Sequence, residues 1–294
     1  MVPTENPVIL LTGGTGYIGS IFTAFLLRGA GLEQVHSLGS RDLDVTDREA
    51  VHDVLRDTNP DIVIHLAAKA DTDWCEEHFE EAKEVNVRGS LNVVEEALAL
   101  GVHATYFSSA CLYPDNSKAY SETDRLAAFC RYTETKLLAE RELEPYLDRI
   151  LNIRMRQPFS NHRHPRNLLQ KLASYTDFID EPNSMSHLEE CLPIVWGLAI
   201  DGEVGTWNMT NEGWTTPLRI ARMIKQHRKP DMTVREITYE ELLDRVDAVR
   251  VNALVDCSRL KARGYSPRHV EEAVRDCLRN PCRIGEYDWG GSEG

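Results

Sequence analysis

The sequence predicts an α/β protein built on a doubly wound parallel sheet, and three observations predict it. The run Val8-Ile-Leu-Leu-Thr12 is continuously apolar and of strand length, and Gly13, Gly16 and Gly19 follow it directly. Similar runs recur at Asp61–Ala67, Ala104–Ser109 and Ile150–Met155, separated by stretches of helical periodicity such as Val85–Leu98. With 42% hydrophobic and 27% charged residues over 294 positions, the chain has the proportions of a globular protein with a sizeable core. Parallel strands covered by helices on both faces read as unbroken apolar runs, and their alternation with helices builds a Rossmann-type sheet.

Taken in order, the first strand leads through the glycine turn into a helix whose Ile18, Phe22, Phe25 and Leu26 recur on one face. The three glycines serve a tight turn, close backbone approach to a pyrophosphate, and close packing of helix on sheet. Gly13, Thr15, Gly16, Tyr17, Ile18 and Gly19 are therefore the expected dinucleotide loop. The second strand leads into Gly39-Ser40-Arg41-Asp42, where a ribose-binding acid belongs. Ser40 and Arg41 suit a 2′-phosphate, which points to NADP(H). In the competing reading Asp42 takes a ribose diol and NAD(H) binds. Asp44 and Val45 follow near the adenine, and Leu66-Ala67-Ala68 closes the cofactor side after the third run.

Residues 1–155 form the expected dinucleotide-binding core. After Met155 the pattern loosens into a polar, proline-bearing stretch, with short helical segments near Leu168–Tyr175 and His187–Ile200. Segments 156–191 and 212–278 read as a smaller, interleaved substrate-binding lobe, while 192–211 rejoins the core through a strand at Gly205–Met209. A helix spans Pro267–Leu278, with the proline at its start. Residues 279–294 read as a flexible tail.

Exclusions narrow the function. A net charge of −14 opposes binding to nucleic acid and to anionic membranes. No apolar run approaches the ~18 residues of a bilayer span, and the start lacks a secretion signal, so a cytoplasmic location is expected. The seven cysteines show neither a CxxC pair nor a regular framework. His162 and His164 have the spacing of a metal pair, but no carboxylate or cysteine completes a site, and they read as loop histidines.

Tyr132-Thr-Glu-Thr-Lys136 sets a phenol and an ammonium four residues apart on one helix face. The ammonium is expected to lower the phenol's pKa, as a general acid working near neutral pH requires. The pair follows a strand ending in Phe107-Ser-Ser109.

With these motifs, together with Asn86 in VNVRG, the chain resembles the extended short-chain dehydrogenase/reductases. The resemblance implies that Ser109 hydrogen-bonds the substrate carbonyl, Tyr132 is the acid, Lys136 holds the ribose and the tyrosine, and Asn86 supports the lysine through a relay. A closer resemblance, to the nucleotide-sugar branch, rests on Arg41 in GSR, Asp73-Trp74-Cys75-Glu76, Ala110-Cys111-Leu112, Pro165-Arg166-Asn167, Pro182-Asn183-Ser184-Met185, Trp207-Asn208 and Asp256-Cys-Ser-Arg-Leu-Lys261. Within that branch the chain is most similar to UDP-rhamnose-synthase type 3,5-epimerase/4-reductases and dTDP-4-dehydrorhamnose reductases; Gln157 replaces the methionine expected after Arg-x-Arg. The implied activity is NADPH-dependent 4-keto reduction of a UDP-, dTDP- or GDP-linked 4-keto-6-deoxy sugar, with 3,5-epimerisation in the same site. The alternatives are a plain 4-reductase and a non-catalytic regulatory subunit on the same fold.

Cys111 is expected to share a strand face with Ser109 and to act as the epimerising base, with Lys171 returning the proton from the other side. Asp73, Asn167, Asn183, Met185, Trp207, Arg250 and Asn252 are the expected substrate contacts, and the expected assembly is a homodimer.

Overall fold

The structure is a computed structural model that describes residues 6–280. Its centre is one six-stranded sheet of β1 (Ile9–Thr12), β2 (Val35–Leu38), β3 (Ile62–His65), β4 (His103–Ser109), β5 (Ile150–Met155) and β6 (Gly205–Met209). The spatial order is β6-β5-β4-β3-β1-β2, and every pair is parallel. The chain order reverses between β1 and β3, so the crevice outside their carboxyl ends is the natural ligand position.

Helices α1 (Tyr17–Ala24), α2 (Arg48–Thr58), α3 (Thr72–Glu77), α4 (Gly89–Ala99) and α5 (Arg131–Leu143) alternate with the strands. The periodicity at Val85–Leu98 resolves into a π-helical turn, Glu84–Arg88, that leads into α4. One face of the sheet carries an apolar cluster that includes Ile9, Leu11, Phe22, Ile153 and Trp207; the other carries Leu10, Val63, Val93 and Tyr106.

The lobe has its own core, in which Phe159, Leu169, Met185, Ile220 and Val274 are buried. It is built from α6 (Leu168–Ser174), α8 (Pro217–His227) and α9 (Val270–Arg279), while α7 (Leu188–Ile200) packs on the sheet and gives Leu188, Leu192 and Val195 to its cluster. Short parallel ladders knit the lobe to the sheet's edge, among them Pro158–Phe159 with Ser186–His187 and Ala119–Tyr120 with Leu254–Val255. The last helix starts later than its sequence indicates. His269 is its N-cap, accepting from the Glu271 N–H, and Pro267 lies two residues before the cap. Of the tail at 279–294, all but the first two residues lie outside the described residues. Among the described residues no helix is long and apolar enough to cross a membrane.

Candidate active site

The glycine loop leaves β1 and turns under the start of α1. Gly13 has φ of 71°, and a Cβ there would lie 2.6 Å from the Ala67 amide nitrogen. A Cβ on Gly19 would come within 2.2 Å of the Gly13 carbonyl oxygen. Both positions therefore need glycine, because helix, loop and the Leu66-Ala67-Ala68 segment meet without room for a side chain. Gly16 is the N-cap of α1 and offers no side-chain cap, so the first-turn N–H groups point into the crevice. That cradle fits a pyrophosphate. Below it, Thr12 Oγ1 meets His65 Nδ1 at 2.7 Å and His65 Nε2 meets Ser90 Oγ at 3.0 Å. Burial, with Lys136 adding to it, pushes His65 down to about 3, so a neutral ring joins β1, β3 and α4.

Ser40 and Arg41 are exposed beyond the end of β2. The Asp42 carboxylate is turned inward, accepting from the Gly39 N–H at 2.8 Å. Asp44 accepts from the Thr46 N–H and hydroxyl, which holds its carboxyl below the ordinary value. Val45 is buried, and its carbonyl accepts from Asn92 at 3.0 Å. Tyr17 donates to Ser160 Oγ at 2.9 Å and stacks on His164, so its ring ties α1 to the lobe.

Ser109 ends β4 and Tyr132 opens α5, which brings the two side chains close enough for the serine to ease the burial of the phenol. The Lys136 ammonium is buried beside them but donates to the Phe107 carbonyl at 2.9 Å and to Tyr106 Oη at 3.4 Å, not to Tyr132. This changes the expected electrostatics. Burial pushes the Tyr132 phenol up, with charge on Cys111 adding to the shift and Ser109 partly offsetting it. Burial brings Lys136 down to about 8. The phenol is thus held in its protonated, acidic form, and the expected lowering by the ammonium is absent. Asn86 also differs from expectation. Its amide donates to the Lys69 carbonyl and to Thr135 Oγ1, both at 2.9 Å, and accepts from the Lys69 N–H. It reaches α5 through the neighbour of Lys136.

Cys111 lies in a short 3-10 turn, Ala110–Leu112, and not in a strand. The turn forms because Ser109 Oγ accepts from the Cys111 N–H at 3.1 Å, which keeps the thiol beside the serine by a different route. Its Sγ accepts from Arg156 Nη1 at 3.3 Å. Arg156 is the residue whose part sequence reasoning missed; the available signal was two charged residues, Arg154 and Arg156, at the end of a largely apolar run. Lys171 sits on α6 with an exposed side chain, and among the described residues its ammonium has no hydrogen-bond partner.

The expected substrate contacts divide in two. Arg250 stands at the mouth, donating to both Asp73 oxygens at 2.7 and 2.8 Å and to Thr72. Asn167, Asn183, Met185 and Trp207 are enclosed. Asn167 caps α6 by accepting from the Leu169 N–H. Asn183 accepts from Arg156 and from the Ala253 N–H, and donates to Asn252 Oδ1 at 2.6 Å. Met185 packs in the lobe's core, and Trp207 lies in the sheet's core with its indole N–H on the Val204 carbonyl and the Arg259 guanidinium over its ring.

A glycine-cradled parallel sheet with serine, tyrosine and lysine at its carboxyl edge is the layout of the short-chain dehydrogenase/reductases. Within that class the chain belongs to the RmlD substrate binding domain family, matched over residues 7–282. It is 28% identical over 279 residues to the bifunctional dTDP-4-dehydrorhamnose 3,5-epimerase/dTDP-4-dehydrorhamnose reductase of Arabidopsis thaliana, covering 90% of each chain. Its structure is similar to that of the UDP-rhamnose synthase of Acanthamoeba polyphaga mimivirus, with a TM-score of 0.84 and 25% identity over 93% of this chain and 99% of that one. The dTDP-4-dehydrorhamnose reductase of Bacillus anthracis in complex with NADP has the same fold, with a TM-score of 0.82 and 18% identity over 93% and 98% of the two chains.

Proposed function

We propose that this protein reduces the 4-keto group of a nucleotide-linked 4-keto-6-deoxy sugar with NADPH and epimerises carbons 3 and 5 in the same site. The observation that carries the reading is the juxtaposition of Ser109 at the end of β4, Tyr132 at the start of α5 and buried Lys136, at the strand edge that also carries the glycine cradle. When bound, NADPH supplies the hydride that carbon 4 accepts. Gly13, Thr15, Gly16 and Ile18 would hold its pyrophosphate side, and Ser40 and Arg41 its 2′-phosphate. Ser109 orients the ketone oxygen, and Tyr132, kept protonated by its surroundings, gives that oxygen its proton. Lys136 leaves the Phe107 carbonyl to hold the ribose. A retired enzyme serving as a regulatory subunit has no chemical need for all three groups, and a 4,6-dehydratase needs an acidic pair where Ala110 and Cys111 stand.

For epimerisation, Cys111 removes the proton beside the ketone, and Lys171 is the candidate for returning one to the opposite face. Lys171 is exposed on α6, so its ammonium is open to a ligand or to solvent. The test is incubation of UDP- and dTDP-4-keto-6-deoxyglucose with NADPH in heavy water, following NADPH oxidation and the product by NMR. The expected result is oxidation with deuterium at carbons 3 and 5. Cys111→Ser should lower deuterium uptake by at least ~10²-fold, and far more than it lowers reduction of a ketone that already has the product configuration. Reduction of such a ketone without exchange in the wild type would make the protein a plain 4-reductase.

A further inference from the structure

Arg154 and Arg156 stand two residues apart at the end of β5, and both are buried, at 5% and 1% exposure. Arg154 has an anion. Its Nε and Nη2 donate to the two oxygens of Glu140 at 2.9 and 2.5 Å. Arg156 has no carboxylate among its described partners. Its Nη2 donates to Asn183 Oδ1 and, at 2.5 Å, to the Val251 carbonyl, and its Nη1 donates to Cys111 Sγ at 3.3 Å. The Nε is buried and, among the described residues, has no acceptor. Burial of a cation is tolerated when an anion is buried with it. Among the described residues, the one hydrogen-bonded partner of Arg156 that can become an anion is the Cys111 thiol.

We propose that Arg156 is a positioning residue that holds Cys111 as a thiolate, completing a buried guanidinium–thiolate pair that arms the epimerising base. The inference rests on the reading of Cys111 as that base. Two features fit the pair. Neutral acceptors from the lobe, Asn183 and Val251, fix the guanidinium's far edge and leave Nη1 aimed at the sulfur. Two further groups near the pair, Tyr132 from α5 and Tyr239 from the lobe, are phenols pushed up by burial, with the Glu181 carboxylate adding to the shift of Tyr239, and so neutral. The negative charge on sulfur also raises Tyr132, so arming the base keeps the acid protonated. In the step itself Sγ takes the proton from the carbon beside the ketone. The S–H bond forms as the C–H bond breaks, and the electron pair moves to the C4 oxygen as an enolate. The charge thereby leaves the sulfur for the oxygen that Ser109 and Tyr132 face, while Arg156 remains where it was.

The test reads the thiol directly. Iodoacetamide labelling is followed peptide by peptide in the full chain, across pH, with Cys130 as the internal reference because it is half-buried to a similar degree. At pH 7 Cys111 in the wild type is expected to react at least about tenfold faster than Cys130, since the thiolate is the nucleophile. Arg156→Met should slow Cys111 by about tenfold and move its rate–pH profile to higher pH, and Arg156→Lys should recover part of the loss because it keeps a charge. Equal reactivity of the two cysteines in the wild type would overturn the pair, and so would an unchanged Cys111 profile in an Arg156→Met variant that still binds NADPH. If Arg156→Met does not fold, the wild-type ratio and Arg156→Lys still decide. The outcomes separate this pair from the reading beneath it. Fast, Arg156-dependent labelling with no ring exchange leaves the pair standing and removes the epimerase. Ring exchange with Arg156-independent labelling overturns the pair and keeps the base.

Discussion

Arg41 and Asp42 are adjacent, and the structure gives them different tasks. Both are exposed at the end of β2, but the Asp42 carboxylate is engaged with the Gly39 N–H and the Arg41 guanidinium is left open. A guanidinium in that position suits a 2′-phosphate. Arg41→Ala should therefore weaken NADPH by roughly 1.5 to 3 kcal/mol, the worth of a charged hydrogen bond, with little effect on NADH; titration of both cofactors checks it, and equal losses would defeat the assignment. Tyr132→Phe keeps the ring and removes the proton, so reduction should fall by at least ~10²-fold while NADPH titration is unchanged. Near-normal turnover would take tyrosine out of the mechanism. Ser109, Tyr132 and the glycines were legible because their meaning lies in short spacings beside a strand or along a helix. Arg156 was not, because its meaning is a contact with a thiol 45 residues earlier in the chain. The helix-capping bond of Asn167 was not legible for a related reason: a polar residue type says nothing of whether its amide faces a ligand or caps a helix.

At the scale of elements, the strands were legible because burial on both faces favours apolar residues at most positions, while ends set by caps were not. His187 illustrates the difference. It precedes α7 and is buried against α9, with Nδ1 3.1 Å from Glu190 and Nε2 3.0 Å from Glu189 and 3.2 Å from Cys277. Burial opposes its charge, but bonds with Cys277, Glu189 and Glu190 outweigh burial and lift it well above the ordinary histidine value. The sign of the consequence is fixed. Below ~6.5 both native and unfolded His187 hold the proton, and the stabilisation is complete; above ~6.5 the unfolded chain releases it while the native one keeps it, so the stabilisation declines by up to ~1.4 kcal/mol per pH unit. Denaturant unfolding at pH 6, 7 and 8 should show this loss in the wild type and a flatter dependence in His187→Gln. Parallel slopes would mean that the ring is neutral in the native protein.

For the whole molecule, the question is what holds the lobe against the sheet's edge and what lets it open. The cores on either side are separate apolar clusters, and polar contacts cross between them. One of these joins residues 177 positions apart: Arg250, from the segment before the Leu254–Val255 ladder, donates to Asp73 on α3. The Asp73 side chain is 53% exposed and that of Arg250 31%, so the pair is worth only ~0 to 1 kcal/mol of stability. A bond of that strength gives way readily to a better anion. The diphosphate of a nucleotide sugar carries more charge and can take the guanidinium through two hydrogen bonds, so Arg250 is expected to exchange Asp73 for it. Arg250→Ala should then raise KM for the nucleotide sugar by about tenfold or more, as loss of a charged hydrogen bond of ~1.5 to 3 kcal/mol implies, while the unfolding midpoint in denaturant barely moves. Asp73→Asn gives the sharper result because its sign depends on what Asp73 does. If the carboxylate only occupies Arg250 until the diphosphate arrives, removing its charge should tighten binding of UDP or dTDP, measured by calorimetry. If Asp73 instead bonds a sugar hydroxyl, the free nucleotide binds as before and KM for the complete nucleotide sugar rises. Weaker binding of the free nucleotide in Asp73→Asn would overturn the exchange, since it would show that the carboxylate orients Arg250 for the diphosphate instead of competing with it.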